Sequence, residues 1–125
     1  MMQQTKARIL VVEDEALVAM FIEDTLASLG FKVIGPAASV GEAMALLDKE
    51  PVDGGLLDVN LGGDDRSYPI AERLERERKP YMFVTGYGIA GIDKKFAGVP
   101  VLQKPFVTNE LSRRLDQLLA PPASA

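Results

Sequence analysis

Five residues in this sequence stand where chemistry could be done, each at the end of a short apolar run. Glu13 and Asp14 follow Ile9-Leu10-Val11-Val12, and Asp58 follows Gly55-Leu56-Leu57. Thr85 closes Tyr81-Met82-Phe83-Val84, and Lys104 comes just after Pro100-Val101-Leu102-Gln103. Each has an ordinary alternative. The first two acids could simply cap a helix, where carboxylates are favoured. Asp58 could open a turn, Thr85 could be a plain strand residue, and Lys104-Pro105 could be a strand exit. The recurrence at the same end of successive runs is what argues for a site. Three clustered carboxylates repel and resist ionising. A hard divalent cation with oxygen ligands and room for water, which describes Mg²⁺, relieves that repulsion. A carboxylate beside such an ion can attack phosphorus and form an acyl phosphate. Phosphoryl transfer then needs its equatorial oxygens neutralised, a task open to the cation, to Lys104 and to the Thr85 hydroxyl or nearby backbone amides.

Composition narrows the chemistry further. The chain has no His and no Cys, which removes the commonest general base, thiolate metal sites and disulfides. Any metal should therefore be held by oxygen. A net charge of −4 argues against a nucleic-acid footprint. The stretch Arg73 to Lys79 alternates basic residues with Glu75 and Glu77 and reads as a solvated helix face. No apolar run is long enough for a signal peptide or a membrane span, which makes the cytoplasm the expected location.

The elements that must position these residues alternate in type. Ile9–Val12, Phe31–Ile34, Gly55–Asp58, Tyr81–Val84 and Pro100–Gln103 read as strands, the second closed by Gly35 and Pro36. Between the first two, Leu17, Val18, Phe21, Ile22, Leu26 and Leu29 recur at helical spacing, and Gly30 is placed as a helix stop. Ser39 with Glu42 is a capping-box pattern opening a helix to about Lys49, with Val40, Ala43, Leu46 and Leu47 inward. Pro69 suits the first turn of a helix running to about Arg78. Thr108 is the expected cap of a last helix through Leu119, with Leu111, Leu115, Leu118 and Leu119 inward. Gly86, Gly88, Gly91 and Gly98 flank or interrupt a weak helical pattern of Ile89, Ile92 and Phe96. Each interior Gly costs a helix about 0.8–1.0 kcal/mol relative to Ala, so a fourth helix there should be short or partly melted. Strands alternating with helices imply an α/β fold with a parallel sheet covered on both faces. Its site should lie beyond the carboxyl ends of the strands.

These residues resemble the receiver domains of response regulators, the CheY-like family. The motifs are Ile9-Leu10-Val11-Val12-Glu13-Asp14-Glu15, Leu56-Leu57-Asp58, Thr85-Gly86 and Lys104-Pro105-Phe106, in that order, within about Arg8 to Leu119. The resemblance implies a flavodoxin-like, doubly wound, five-stranded parallel sheet of order 2-1-3-4-5 with about five helices, forming a single domain over residues 1–125. It also implies that Asp58 accepts a phosphoryl group from a phospho-His on a sensor kinase or phosphotransfer protein. Mg²⁺ would be held by Asp14, Asp58 and the backbone carbonyl of Asn60, with Glu13 acting through water. Thr85 and Lys104 would move toward phosphoryl oxygens, and Pro105 would follow a cis peptide. The protein would then be no general enzyme but a monomeric signalling module. It would promote only its own phosphorylation and dephosphorylation and act on an unidentified downstream protein.

The sequence departs from the family's usual pattern at three points. Val101 stands where an aromatic switch residue is usual, and Gly62 stands where the loop usually has Pro. Strand four, Pro80-Tyr81-Met82-Phe83-Val84-Thr85-Gly86-Tyr87, is similar to an alphaproteobacterial subgroup with a Phe-Ala-Thr-Gly-x-Tyr-type signature. Val84 replaces the Ala, and Tyr87 directly follows Gly86. Tyr87, with Thr85 and the glycine-weakened segment, is therefore the expected switch. Two other functions compete. A haloacid-dehalogenase-like phosphatase would use Asp58 as nucleophile, but Asn60 stands where its second Asp belongs. A flavodoxin-like cofactor binder would need a phosphate-cradling loop, and Leu61-Gly62-Gly63 follows an acid that would repel a phosphate. Pro121-Pro122 would suit a linker to a further domain, whereas Met1 favours a stand-alone regulator.

Overall fold

The strands form because their apolar runs can be buried on both faces. In β1 (Arg8–Val12) Leu10 and Val12 join one apolar cluster, and Ile9 and Val11 join another on the opposite side. Leu57 and Leu56 of β3 (Gly54–Asp58) divide the same way, as do Phe83 and Met82 of β4 (Tyr81–Thr85). This period-2 partition places a core on each side of the sheet. The computed structural model describes residues 7–63, 65–86 and 91–120. With β2 (Lys32–Ala37) and β5 (Val101–Gln103), the strands make a five-stranded sheet of order β2-β1-β3-β4-β5 with every pairing parallel. The order reverses between β1 and β3, so the acids ending those two strands are neighbours across the switch point.

One face is covered by α2 (Val40–Lys49) and α3 (Tyr68–Arg76), through Ala43, Leu47, Ile70 and Leu74. The other is covered by α1 (Ala16–Ser28) and α4 (Thr108–Leu119), through Ile22, Leu26, Leu111 and Leu115. Gly30 ends α1 as expected. Its φ of +93° takes it into left-handed backbone, and the Phe31 N–H returns to the Leu26 carbonyl at 2.9 Å. In α2 the Ser39 hydroxyl accepts the Glu42 N–H at 3.1 Å, while the Glu42 carboxylate accepts the Ala38 N–H at 2.9 Å. Ser39→Ala is expected to cost about 1 kcal/mol in urea unfolding, the usual value of such a cap. A loss below a few tenths would mean that Glu42 alone holds the helix start.

Several sequence expectations are corrected. Strand β2 continues through Gly35 and Pro36 to Ala37 instead of closing at them. An edge strand tolerates proline, because the missing N–H is not needed by a second neighbour. The extension matters for the site: the Glu13 N–H donates to the Ala37 carbonyl at 2.8 Å. Val107, not Thr108, is the cap residue of α4, and no side chain bonds to that helix start. Helix α3 stops at Arg76, and Arg78 has a φ of +59°. The fourth helix, expected to be short or partly melted, is in the described residues reduced to 3-10 structure that includes the turn Lys94–Phe96, in keeping with that expectation. Leu17 and Phe21 are apolar at helical spacing yet exposed, 80% and 43% respectively.

Candidate functional site

Glu13, Asp14, Asp58, Thr85 and Lys104 lie at the carboxyl ends of β1, β3, β4 and β5, at one rim of the sheet. Register explains why. Val12 pairs with Leu57, Asp58 with Val84, and Thr85 with Gln103, so the strand ends stand level. The Lys104 N–H donates to the Thr85 carbonyl at 2.8 Å, which fixes the start of the segment after β5. The peptide between Lys104 and Pro105 is cis.

The charges are close and mostly buried. Carboxylate oxygens of Glu13, Asp14 and Asp58 lie within 4.8 Å of one another. Glu13 and Asp58 are buried and Asp14 is exposed, so the cluster opens to solvent on the Asp14 side. The Lys104 ammonium reaches in from the end of β5, 2.8 Å from Glu13 Oε1 and 3.4 Å from Asp58 Oδ2. Burial pushes the Asp58 carboxyl up to about 7, and a hydrogen bond and negative charge from Glu13 push the same way. Lys104 offsets part of this. Lys104 itself is raised: burial would lower it, but Glu13 and Asp58 together outweigh burial. A carboxyl at the boundary of ionisation, flanked by one ammonium and two other acids, is a site short of positive charge.

The residues fit a hard divalent cation. All donors are oxygens, their spacing can be spanned by one ion, and the exposed side leaves room for water. Glu13 Oε1 is buried beside Lys104 without an aligned hydrogen bond, so it retains acceptor capacity. Gly62, at φ +91°, brings the loop backbone against the cluster, and a Cβ there would stand 3.4 Å from Asp14 Oδ2. The glycine found where proline is usual thus belongs to the wall of the pocket. Asn60 opens that loop, which closes on itself through an antiparallel bridge from Asn60 to Arg66.

Two features escaped the sequence reading. Glu15 Oε1 stands 3.5 Å from Lys104 Nζ, which gives the ammonium a third, solvent-exposed partner. Its sequence signal is its place at the end of the Ile9-to-Glu15 motif, which gives it no role of its own. Beside Lys104, a cleft lined by Leu17, Val18, Phe21, Pro105 and Phe106 carries exposed apolar surface up to the edge of the site. The switch residue inferred from the sequence, Tyr87, lies outside the described residues, whereas Thr85 is buried at the rim.

Residues 9–116 match the model of the response regulator receiver domain. The chain belongs to the receiver-domain family. Among solved structures it is similar to SdrG from Sphingomonas melonis Fr1, at 38% identity and a TM-score of 0.83, covering 94% of this chain and 100% of that one. It is also similar to the BeF3-activated conformation of SdrG from Pseudomonas melonis Fr1, at 40% identity and a TM-score of 0.79, covering 90% and 96%. A curated relative, the probable transcriptional regulator ycf27 of Porphyra purpurea, is 31% identical over 124 residues, 94% of this chain and 49% of that protein. The chain spans about half the length of the curated relatives it matches. Membership of this family makes it a phosphoacceptor signalling domain with a Mg²⁺-binding acidic pocket, and nothing favours the phosphatase alternative. No helix among the described residues is long and apolar enough to cross a membrane.

Proposed function

We propose that residues 1–125 form one receiver domain that accepts a phosphoryl group on Asp58 and signals by changing conformation. The observation that carries this is the Asp58 carboxylate: it is the buried acid at the end of a central strand, with Lys104 3.4 Å away and two further acids beside it. A carboxylate nucleophile on phosphorus would use both, the ammonium for the incoming phosphoryl oxygens and the neighbouring acids to hold a cation. Asp14, Asp58 and the Asn60 carbonyl would hold Mg²⁺, with Glu13 acting through water. The bound ion would supply neutralisation of phosphoryl oxygens and of the carboxylates themselves. Lys104 would leave Glu13 for a phosphoryl oxygen, and the Thr85 hydroxyl would turn toward another. The domain would promote its own phosphorylation and hydrolysis and no other reaction.

The phosphodonor would be a phospho-His on a sensor kinase or phosphotransfer protein in the cytoplasm. The apolar cleft on α1 supports a protein donor, because Lys104 borders both the cleft and the acid cluster. A donor seated there would present its phosphoryl group at Asp58. An unidentified downstream protein would read the change.

Incubating the domain with Mg²⁺ and a small phosphodonor such as acetyl phosphate is expected to add one phosphate to the intact mass. Asp58→Asn is expected to add none, and chelating the Mg²⁺ should abolish the gain in wild type. Equal gain by both proteins would overturn Asp58 as the acceptor.

A further inference from the structure

Tyr68 joins the loop after Asp58 to the segment that follows β4. It is the first residue of α3, and the Ser67 N–H next to it donates to the Val59 carbonyl at 3.0 Å. That bond ties Tyr68 to the residue directly after Asp58. Its ring stacks on the buried Phe96 at 4.9 Å between centroids and meets Phe83 edge-on at 5.9 Å. Phe83 lies two residues before Thr85 on β4.

The hydroxyl of Tyr68 reaches further. It accepts the Asp93 N–H at 2.9 Å and faces the Gly91 carbonyl at 3.5 Å. The Asp93 side chain in turn accepts the Lys95 N–H at 3.0 Å, which caps the 3-10 turn. One turn along α3, Glu72 pairs with Lys95. Polar contacts from two residues of α3, Tyr68 and Glu72, therefore hold residues 91–95 down on a ring contact beneath. Among the described residues this segment holds only short 3-10 structure, so the contacts that α3 supplies bear on its position.

We propose that the Tyr68 hydroxyl is a latch that holds residues 91–96 in the arrangement the domain has before phosphorylation, so that releasing it belongs to activation. This rests on the assignment of Asp58 as acceptor. This arrangement is taken as the resting one, since Lys104 is engaged with the protein's own carboxylates, Glu13, Asp58 and Glu15. The latch suits a switch because each contact is weak. A partly exposed hydrogen bond and an exposed ion pair are small terms, and elements held by small terms are the ones a local charge change can shift. A contact made only in the resting state also opposes binding of any ligand that selects the active one.

The test is a titration of the folded domain with beryllofluoride and Mg²⁺, followed by the amide signals of Thr85 and Asp93. Tyr68→Phe keeps the ring stack and removes the hydroxyl. It is expected to lower the half-saturating beryllofluoride concentration about three-fold, within the roughly 2- to 12-fold a single hydrogen bond can supply. Glu72→Gln is expected to shift it in the same direction by less, about 1.5-fold. Glu77→Gln loosens the pair with Arg73 at the far end of α3, away from residues 91–95, and is expected to leave it unchanged. A merely structural Tyr68 would lower the melting temperature without tightening the ligand. An unshifted or weakened response of Tyr68→Phe beside a responding wild type overturns the latch alone. A wild type that gives no response overturns the Asp58 assignment and the latch with it.

Discussion

In Mg²⁺-free buffer at pH 8, Asp58→Asn is expected to be more stable than wild type by about 2 kcal/mol. The reason is the carboxyl's raised pKa of about 7, against 3.8 for an ordinary Asp, caused first by burial and then by Glu13. A folded-state pKa above the unfolded value means that the folded chain binds the proton more tightly. The resulting stability is complete below pH 3.8 and is lost as pH rises through about 7. Over that window the loss runs at up to about 1.4 kcal/mol per pH unit, and pairing with Lys104 reduces it. The amide that replaces the carboxyl in Asp58→Asn has no proton to lose, so the stability difference between the two proteins should begin to open above pH 3.8, be partly developed at pH 5 and be complete a little above about pH 7. Taking the difference cancels the titration of every other group.

Magnesium should invert the order. A ligand that binds only the folded state stabilises it in proportion to the logarithm of its saturation. Wild type offers the full carboxylate set and gains most, whereas Asp58→Asn has lost one ligand and gains less. Urea unfolding of both proteins at pH 5 and pH 8, with and without Mg²⁺, checks all four corners. If Asp58→Asn is no more stable at pH 8 without the ion, the acid cluster is not strained in the resting domain.

The strands and the site were readable from sequence for a common reason. Strands buried on both faces are unbroken apolar runs, and polar residues at their ends mark the rim, so Asp58 and Thr85 announce both their strand and their position. Gly30 and the Ser39–Glu42 pair were legible because caps use local contacts alone. What was not legible depended on distant partners. Helical spacing shows that Leu17 and Phe21 share a face with Val18 and Ile22, but nothing in the spacing says whether another element covers it. Pro36 reads as a stop, and only its edge position lets β2 continue to Ala37 and hold Glu13. Glu15 and Tyr68 carry no local signature, since each gains its contacts from residues 89 and 25 positions away. The cis bond before Pro105 and the order of the strands came through the family resemblance, not from periodicity.

Replacing Lys104 should do the opposite of replacing Asp58. Lys104→Met keeps most of the aliphatic stem and removes the ammonium that faces Glu13 at 2.8 Å and Asp58 at 3.4 Å. Glu13 is 2% exposed, so its carboxylate would be left buried beside Asp58 with no cation. Breaking such a buried pair from one side costs about 3–5 kcal/mol, because the remaining charge keeps its desolvation penalty and loses its partner. The expected loss for Lys104→Met at pH 8 without Mg²⁺ is therefore about 3 kcal/mol. Part of that loss is repulsion between the two acids, so combining the variant with Asp58→Asn should recover about 1–2 kcal/mol beyond additivity. Added Mg²⁺ should recover a similar share in the single variant, since the ion compensates the same carboxylates. Strict additivity in the double variant would mean that Lys104 serves Glu13 alone, and the shared electrostatic site at the end of β3 would have to be given up.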